Sequence, residues 1–184
     1  MAKKLRKMLG TADSPYIVSL MRLIETQSKV TVANWCMDYA ETHMLPLFQK
    51  HFPVNKPYNS LQNGPKNTLK VAREFLAGKT PFYYAKNIIL NSCHYPAREL
   101  GDNPIAQAAA RACGQACSSV HVPTHALAFC FYAAAALAYD RVGLDETPEV
   151  YNRLAAEECA KMETALRAVA VEDEPNPAKY NWNC

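Results

Sequence analysis

Three pairs of polar residues stand four positions apart in an otherwise apolar, alanine-rich stretch: His94 with Arg98, Arg111 with Gln115, and His121 with His125. A spacing of four puts both members of a pair on one side of a helix. Imidazoles and guanidiniums gathered that way can make a pocket for an anion or a polar ligand. The same residues can instead form a hydrogen-bonded network that fixes helix register in a core where alanine gives little steric grip. Composition does not separate these two readings.

Other chemistries are less well supported. His121 and His125 have the spacing of a metal-ligating pair, but Pro123 between them marks a helix start. The run HVPTH also lacks the glutamate of a zinc-protease motif. Cys93 lies beside His94, yet neighbours on a helix point about 100° apart and do not make a nucleophile–base couple. No glycine-rich phosphate loop is present. No catalytic residue, metal or cofactor is therefore expected, and the chain reads as a non-enzyme. The seven cysteines, at 36, 93, 113, 117, 130, 159 and 184, include no Cys-x-x-Cys pair. They read as buried reduced thiols of a cytoplasmic protein.

The charge distribution points to surfaces. The formal net charge of +3 divides unevenly along the chain. Residues 1–139 hold fifteen Lys and Arg against seven Asp and Glu, whereas residues 140–174 hold four against ten. Asp145, Glu146, Glu149, Glu157 and Glu158, with Tyr180 and Trp182 in the tail, form a candidate partner surface. The basic start, with Lys3, Lys4, Arg6 and Lys7, lacks interleaved aromatics, and no nucleic-acid partner is expected. It also lacks a signal-peptide core, and no apolar run reaches the roughly 18 residues of a membrane span.

The elements that must position these residues read as helices. Ser14-Pro15, Thr80-Pro81, Asn103-Pro104 and Thr147-Pro148 each place a small polar residue before proline. In that signal the side chain caps free N–H groups and proline takes the first helical position. Apolar residues recur at helical spacing in Ile17, Leu20, Met21 and Ile24, and again in Val150, Leu154, Cys159, Met162 and Leu166. A second helix starts near Thr31 and is kinked or ended at Pro46. Further helices are predicted over about 68–77, closed by Gly78, and over 81–99, 104–118, 123–142 and 148–170. Short connections imply antiparallel neighbours. The expected fold is an all-α, single-domain antiparallel bundle of about seven helices. Its parts are an N-terminal helical pair (1–51), a loop (52–67), a helical core (68–170) with an alanine-rich central hairpin at 104–142, and an extended tail (171–184).

The runs AREFLAG (72–78), CHYPAREL (93–100), AQAAARACGQA (106–116) and HVPTHALAFCFYAAAALAYDRVG (121–143) resemble the bacterial putative immunity protein family. This is an all-helical immunity-like domain linked to polymorphic toxin systems. The opening KKLRKMLGTADSPYIVSLMRLIETQSK (3–29) and the closing NPAKYNWNC (176–184) look like its longer members. The resemblance implies a cognate toxin protein as partner and neutralisation by binding. It carries His94, Arg98, Arg111, Gln115, His121 and His125 over as the polar residues of the alanine-rich core, without a role. Pro96 departs from the pattern, which has alanine there; it bends the helix near Ser92 and threatens to displace His94. Two alternatives remain at the sequence level: a small-ligand or anion-binding protein (or enzyme) using the His/Arg cluster, and a scaffold that pairs with itself as a homodimer.

Overall fold

The computed structural model describes residues 5–52 and 62–182, and every regular element among them is helical. In chain order, α1 is Pro15–Glu25. Helix α2 starts as Lys29–Tyr39 and runs through a π-helical turn, Ala40–Met44, into Leu45–His51. Helix α3 is Gly64–Leu76. Helix α4 starts as Phe82–Ile89, widens into a π-helical turn at Leu90–His94 and ends in a 3₁₀ turn at Pro96–Leu100. Helices α5 (Pro104–Ser118), α6 (His125–Val142) and α7 (Pro148–Val169) complete the bundle.

Helix α5 lies at the centre, packed against α2, α3, α4 and α6, while α7 covers α6, α1 and α2. The α5–α6 contact is the most extensive, as the alanine pattern predicts. Ala106, Ala109, Ala110, Ala112 and Ala116 on α5, and Ala133 to Ala136 on α6, are fully buried. Methyl side chains let the two axes come close, and larger residues fill the surrounding layers. Trp35 of α2 closes one such layer: its indole N–H donates to the Met162 carbonyl at 3.1 Å, and its ring meets Phe129 edge-on.

The helix-start signals divide in the structure. Asn103 and Thr147 accept from the Ala106 and Val150 amides, as capping requires. Ser14 instead turns back to the Thr11 amide, and Thr80 does not cap: α4 begins at Phe82 and the Thr80 hydroxyl is buried without a partner. The connection drawn over 52–67 is shorter than expected, because α3 already begins at Gly64. Residues 53–61 of that connection lie outside the described residues.

Both internal prolines are accommodated in the same way. A proline within a helix lacks an N–H, and its ring clashes with the carbonyl four residues earlier. The turn before each proline widens to a five-residue step, Leu45 N–H to the Ala40 carbonyl and Tyr95 N–H to the Leu90 carbonyl. Pro46 therefore does not end α2, which continues to His51. At Pro96 the carbonyl four residues back is that of Ser92, and it lies against the Cα of Gly64. A Cβ on Gly64 would stand 1.8 Å from that oxygen.

Gly64→Ala is accordingly expected to destabilise the fold by about 1–3 kcal/mol, the usual range for overpacking. At roughly 2–4 °C per kcal/mol, a thermal melt resolves this. Gly101→Ala is the control, since its added methyl would meet nothing nearer than the Arg98 carbonyl at 3.9 Å, and it should melt with the parent.

Candidate functional site

Arg111, Gly114, Gln115 and Ser118 follow one another at helical spacing along one face of α5. That face meets the π-helical turn of α4 and the turn that leads into α6. His94, 9% exposed, is the most buried of the six polar candidates. Its ring lies flat against Gly114, where an added Cβ would sit 2.7 Å from Cε1 and 2.9 Å from Nε2. The same Nε2 is 3.3 Å from the Ser118 hydroxyl. The bend at Pro96 thus seats His94 in the cluster rather than displacing it. Gly114 was not singled out from the sequence; its signal was a glycine interrupting a helical alanine run.

His125, the first residue of α6, donates from Nδ1 to the Gln115 side-chain oxygen at 2.7 Å, which places the ring proton on Nδ1. His121 stacks edge-on to His125 with ring centres 5.8 Å apart, and to Phe82 at 5.3 Å. The His121 Nδ1 is buried with no hydrogen-bond partner. Arg111 is half-buried, and among the described residues its guanidinium has no hydrogen bond and no ion pair. Arg98 is the one member left out: it is exposed, with its guanidinium 5.0 Å from the centre of the Tyr95 ring.

The electrostatics of the seam have one sign. Burial holds His94 down to about 4, and the charges of Arg111, His125 and Arg98 push the same way. Burial also holds His121 at about 4, with His125, Lys86 and Lys29 adding to it, and lowers His125. Among the described residues, no carboxylate is one of the charges acting on these three rings. Near pH 7 the rings are neutral and Arg111 is the fixed charge. Burial pushes the adjacent Cys93 thiol up to about 12, and its Sγ lies 3.0 Å from the Ala110 carbonyl, as expected of an inert structural thiol. The six described cysteines are all free and buried.

The residues of the acidic stretch are largely satisfied within the molecule. Glu158 is buried at 5% exposure and paired with Lys161 at 2.8 Å, so it belongs to the interior and not to a partner surface. Glu157 pairs with Arg141 at 2.6 Å. Asp145 and Glu149 face solvent and Glu146 is half-buried. Tyr180 and Trp182 stack on each other at 4.8 Å, pack against the core, and are tied down by a hydrogen bond from the Trp182 indole N–H to the Glu25 carboxylate. Gln27 is the clamp that sequence reasoning missed. Its buried side chain exchanges two hydrogen bonds with the backbone of Val171, and its own carbonyl accepts from the Ala178 amide.

The exposed aromatics lie elsewhere. Phe82, Tyr83 and Tyr84 open α4 and, with Tyr95, face solvent, Tyr83 at 74% exposure. Lys86 stands over the Phe82 ring at 6.0 Å. The visible signal was an FYY run occupying helix positions that periodicity would give to polar residues.

The model of the family described as Imm-5 like putative immunity protein matches residues 22–165, which include all six polar candidates and exclude Tyr180 and Trp182. No curated protein and no solved structure matches the chain. No helix among the described residues is long and apolar enough to cross a membrane.

The buried histidines make stability depend on pH. An unfolded histidine titrates near 6.5, whereas folded His94 and His121 do so at about 4. Between those values the unfolded chain binds protons that the folded one refuses. Stability is therefore complete above about pH 6.5, falls as pH drops towards 4, and levels off below. The urea midpoint should follow that course, and imidazole NMR signals should report neutral rings at about pH 5.5. His94→Gln should flatten the slope; an unchanged slope would mean His94 titrates normally.

Proposed function

The chain belongs to the Imm-5 like putative immunity protein family, and from that premise we propose that it neutralises a cognate bacterial toxin by covering the toxin's working surface, without catalysis. A binding role needs an interface of roughly 1,600 Å² with a few buried anchors, and no reactive group. The observation that carries the reading is the set of solvent-facing aromatics on α4, Phe82, Tyr83 and Tyr84 at its start and Tyr95 near its end. Phe82 also packs against Phe75 and His121, and Tyr95 against Arg98, but Tyr83 and Tyr84 lie outside the buried core. Tyrosine and arginine are the residue types that most often anchor interfaces. Lys86 over Phe82 and Arg98 over Tyr95 fit a toxin surface that is apolar at its centre and acidic around it.

The acidic stretch supports the reading less well, because Glu157 and Glu158 are already paired and the tail aromatics pack on their own body. Asp145 and Glu149 are its solvent-facing part, with Glu146 half-buried between them.

Co-expression with a candidate toxin from a neighbouring gene tests the proposal. Tyr83→Ala combined with Tyr84→Ala should abolish protection and weaken binding by about 10- to 100-fold, about 1.4–2.8 kcal/mol. The melting temperature should not move, as both rings face water. Glu157→Lys should leave protection intact. Full protection by the tyrosine double variant would remove the α4 face from consideration. A shift in sedimentation caused by that variant, with the chain alone, would instead make the face a self-association surface.

A further inference from the structure

Arg111 poses a physical problem that the fold does not solve by itself. A half-buried guanidinium is costly to desolvate, and proteins normally give it a carboxylate or several carbonyls. Here no acceptor among the described residues meets it, while its neighbours in the seam are other cations or groups that become cations. Arg98 stands at the rim, Lys86 and Lys29 act on His121, and His94, His121 and His125 line the interior. The seam is also built with care for shape. Gly114 makes room for the His94 ring, and Gln115 orients His125. The buried Nδ1 of His121 is left without a partner, beside rings that do have one.

We infer that this seam binds a small oxyanion, of carboxylate or tetrahedral type, held between the Arg111 guanidinium and His125 over the His94 ring, with His121 beside His125 at the edge. A guanidinium offers parallel N–H donors that match two oxygens of such an ion. His125 spends its Nδ1–H on Gln115 and donates from Nε2 once protonated, which an arriving negative charge favours, so the ion supplies the counter-charge that the fold omits. Arg111, Gln115, His121 and His125 are only partly buried, which leaves the seam open to solvent on that side. The inference does not rest on toxin binding, and needs no partner protein to be tested.

The experiment is a titration of the full chain with sodium sulfate and, separately, sodium acetate, against sodium chloride at matched ionic strength. The histidine imidazole resonances are followed by NMR. The expected result is a saturable shift of the His94, His121 and His125 signals with at least one of the two oxyanions, and none with chloride. Whichever anion binds more tightly reports whether the site prefers a planar or a tetrahedral shape. Arg111→Gln should weaken that binding at least about tenfold, Arg111→Lys should recover part of it, and Arg98→Gln should change it by less than about twofold. Melting in chloride gives a second reading. Removing an uncompensated charge should leave Arg111→Gln as stable as the parent or more so, whereas a purely structural arginine would lower the melting point on removal. Failure of Arg111→Gln to fold would count as the structural outcome, and the anion titration of Arg111→Lys would then decide whether the seam binds an ion at all. Absence of a saturable shift with both oxyanions overturns the inference. So does equal binding by the parent and the Arg111 variants, which would mean a diffuse ionic effect.

Discussion

The close approach of α5 to α6 governs the rest of the molecule. Where two helices meet through methyl groups, little space remains between their backbones, and any larger side chain must be directed to the flanks. On α5 the inward positions are alanine, so the polar residues Arg111, Gln115 and Ser118 are swept together onto the flank that faces α4. Their grouping is a consequence of packing as much as of any ligand. Small residues do two things here: they let the axes close, and they leave recesses into which a ring can settle. Gly114 is the extreme case, its missing Cβ replaced by the imidazole of His94.

The prolines act through the same economy of space. Pro96 cannot accept the geometry of an ordinary helix, so the preceding turn widens, and proline offers the Ser92 carbonyl no N–H four residues on. That carbonyl finds the bare Cα of Gly64, where a Cα–H contact is the available compensation. The widened turn also rotates His94 towards α5. One residue that looks like a defect in α4 thus sets the entry of α3 and the depth of the histidine.

The surface follows a different logic. Ion pairs such as Lys50 with Asp140, Arg73 with Asp38 and Glu41, and Arg141 with Glu157 tie neighbouring elements together. At exposed sites each contributes little to stability, but together they use up much of the charge that an electrostatic interface would need. Against that background two features are left unspent: the aromatic row on α4 and the cationic seam below it. They are joined through Phe82, whose ring contacts both His121 and Phe75. An occupant of the seam and a protein lying on the row would therefore be near neighbours.

From residue types alone, the helical class, the alanine hairpin and most helix ends were legible, because periodicity, N-terminal prolines and Gly78 act within one or two turns of chain. Arg111 and Gln115 share a face of α5 for the same local reason, but packing between elements brought His94, His121 and His125 to that face. What the order of residues could not disclose was decided between helices. Glu158 was expected on a surface, and it is buried because α7 turns that side inward. Arg98 shares a helical side with His94 only in an unbroken helix, and the widened turn before Pro96 breaks that relation. Gln27 as a clamp on the tail, and Gly114 as a seat for His94, depend on backbone brought near by the whole bundle. Such proximity is a property of packed helices, and no spacing along the chain encodes it.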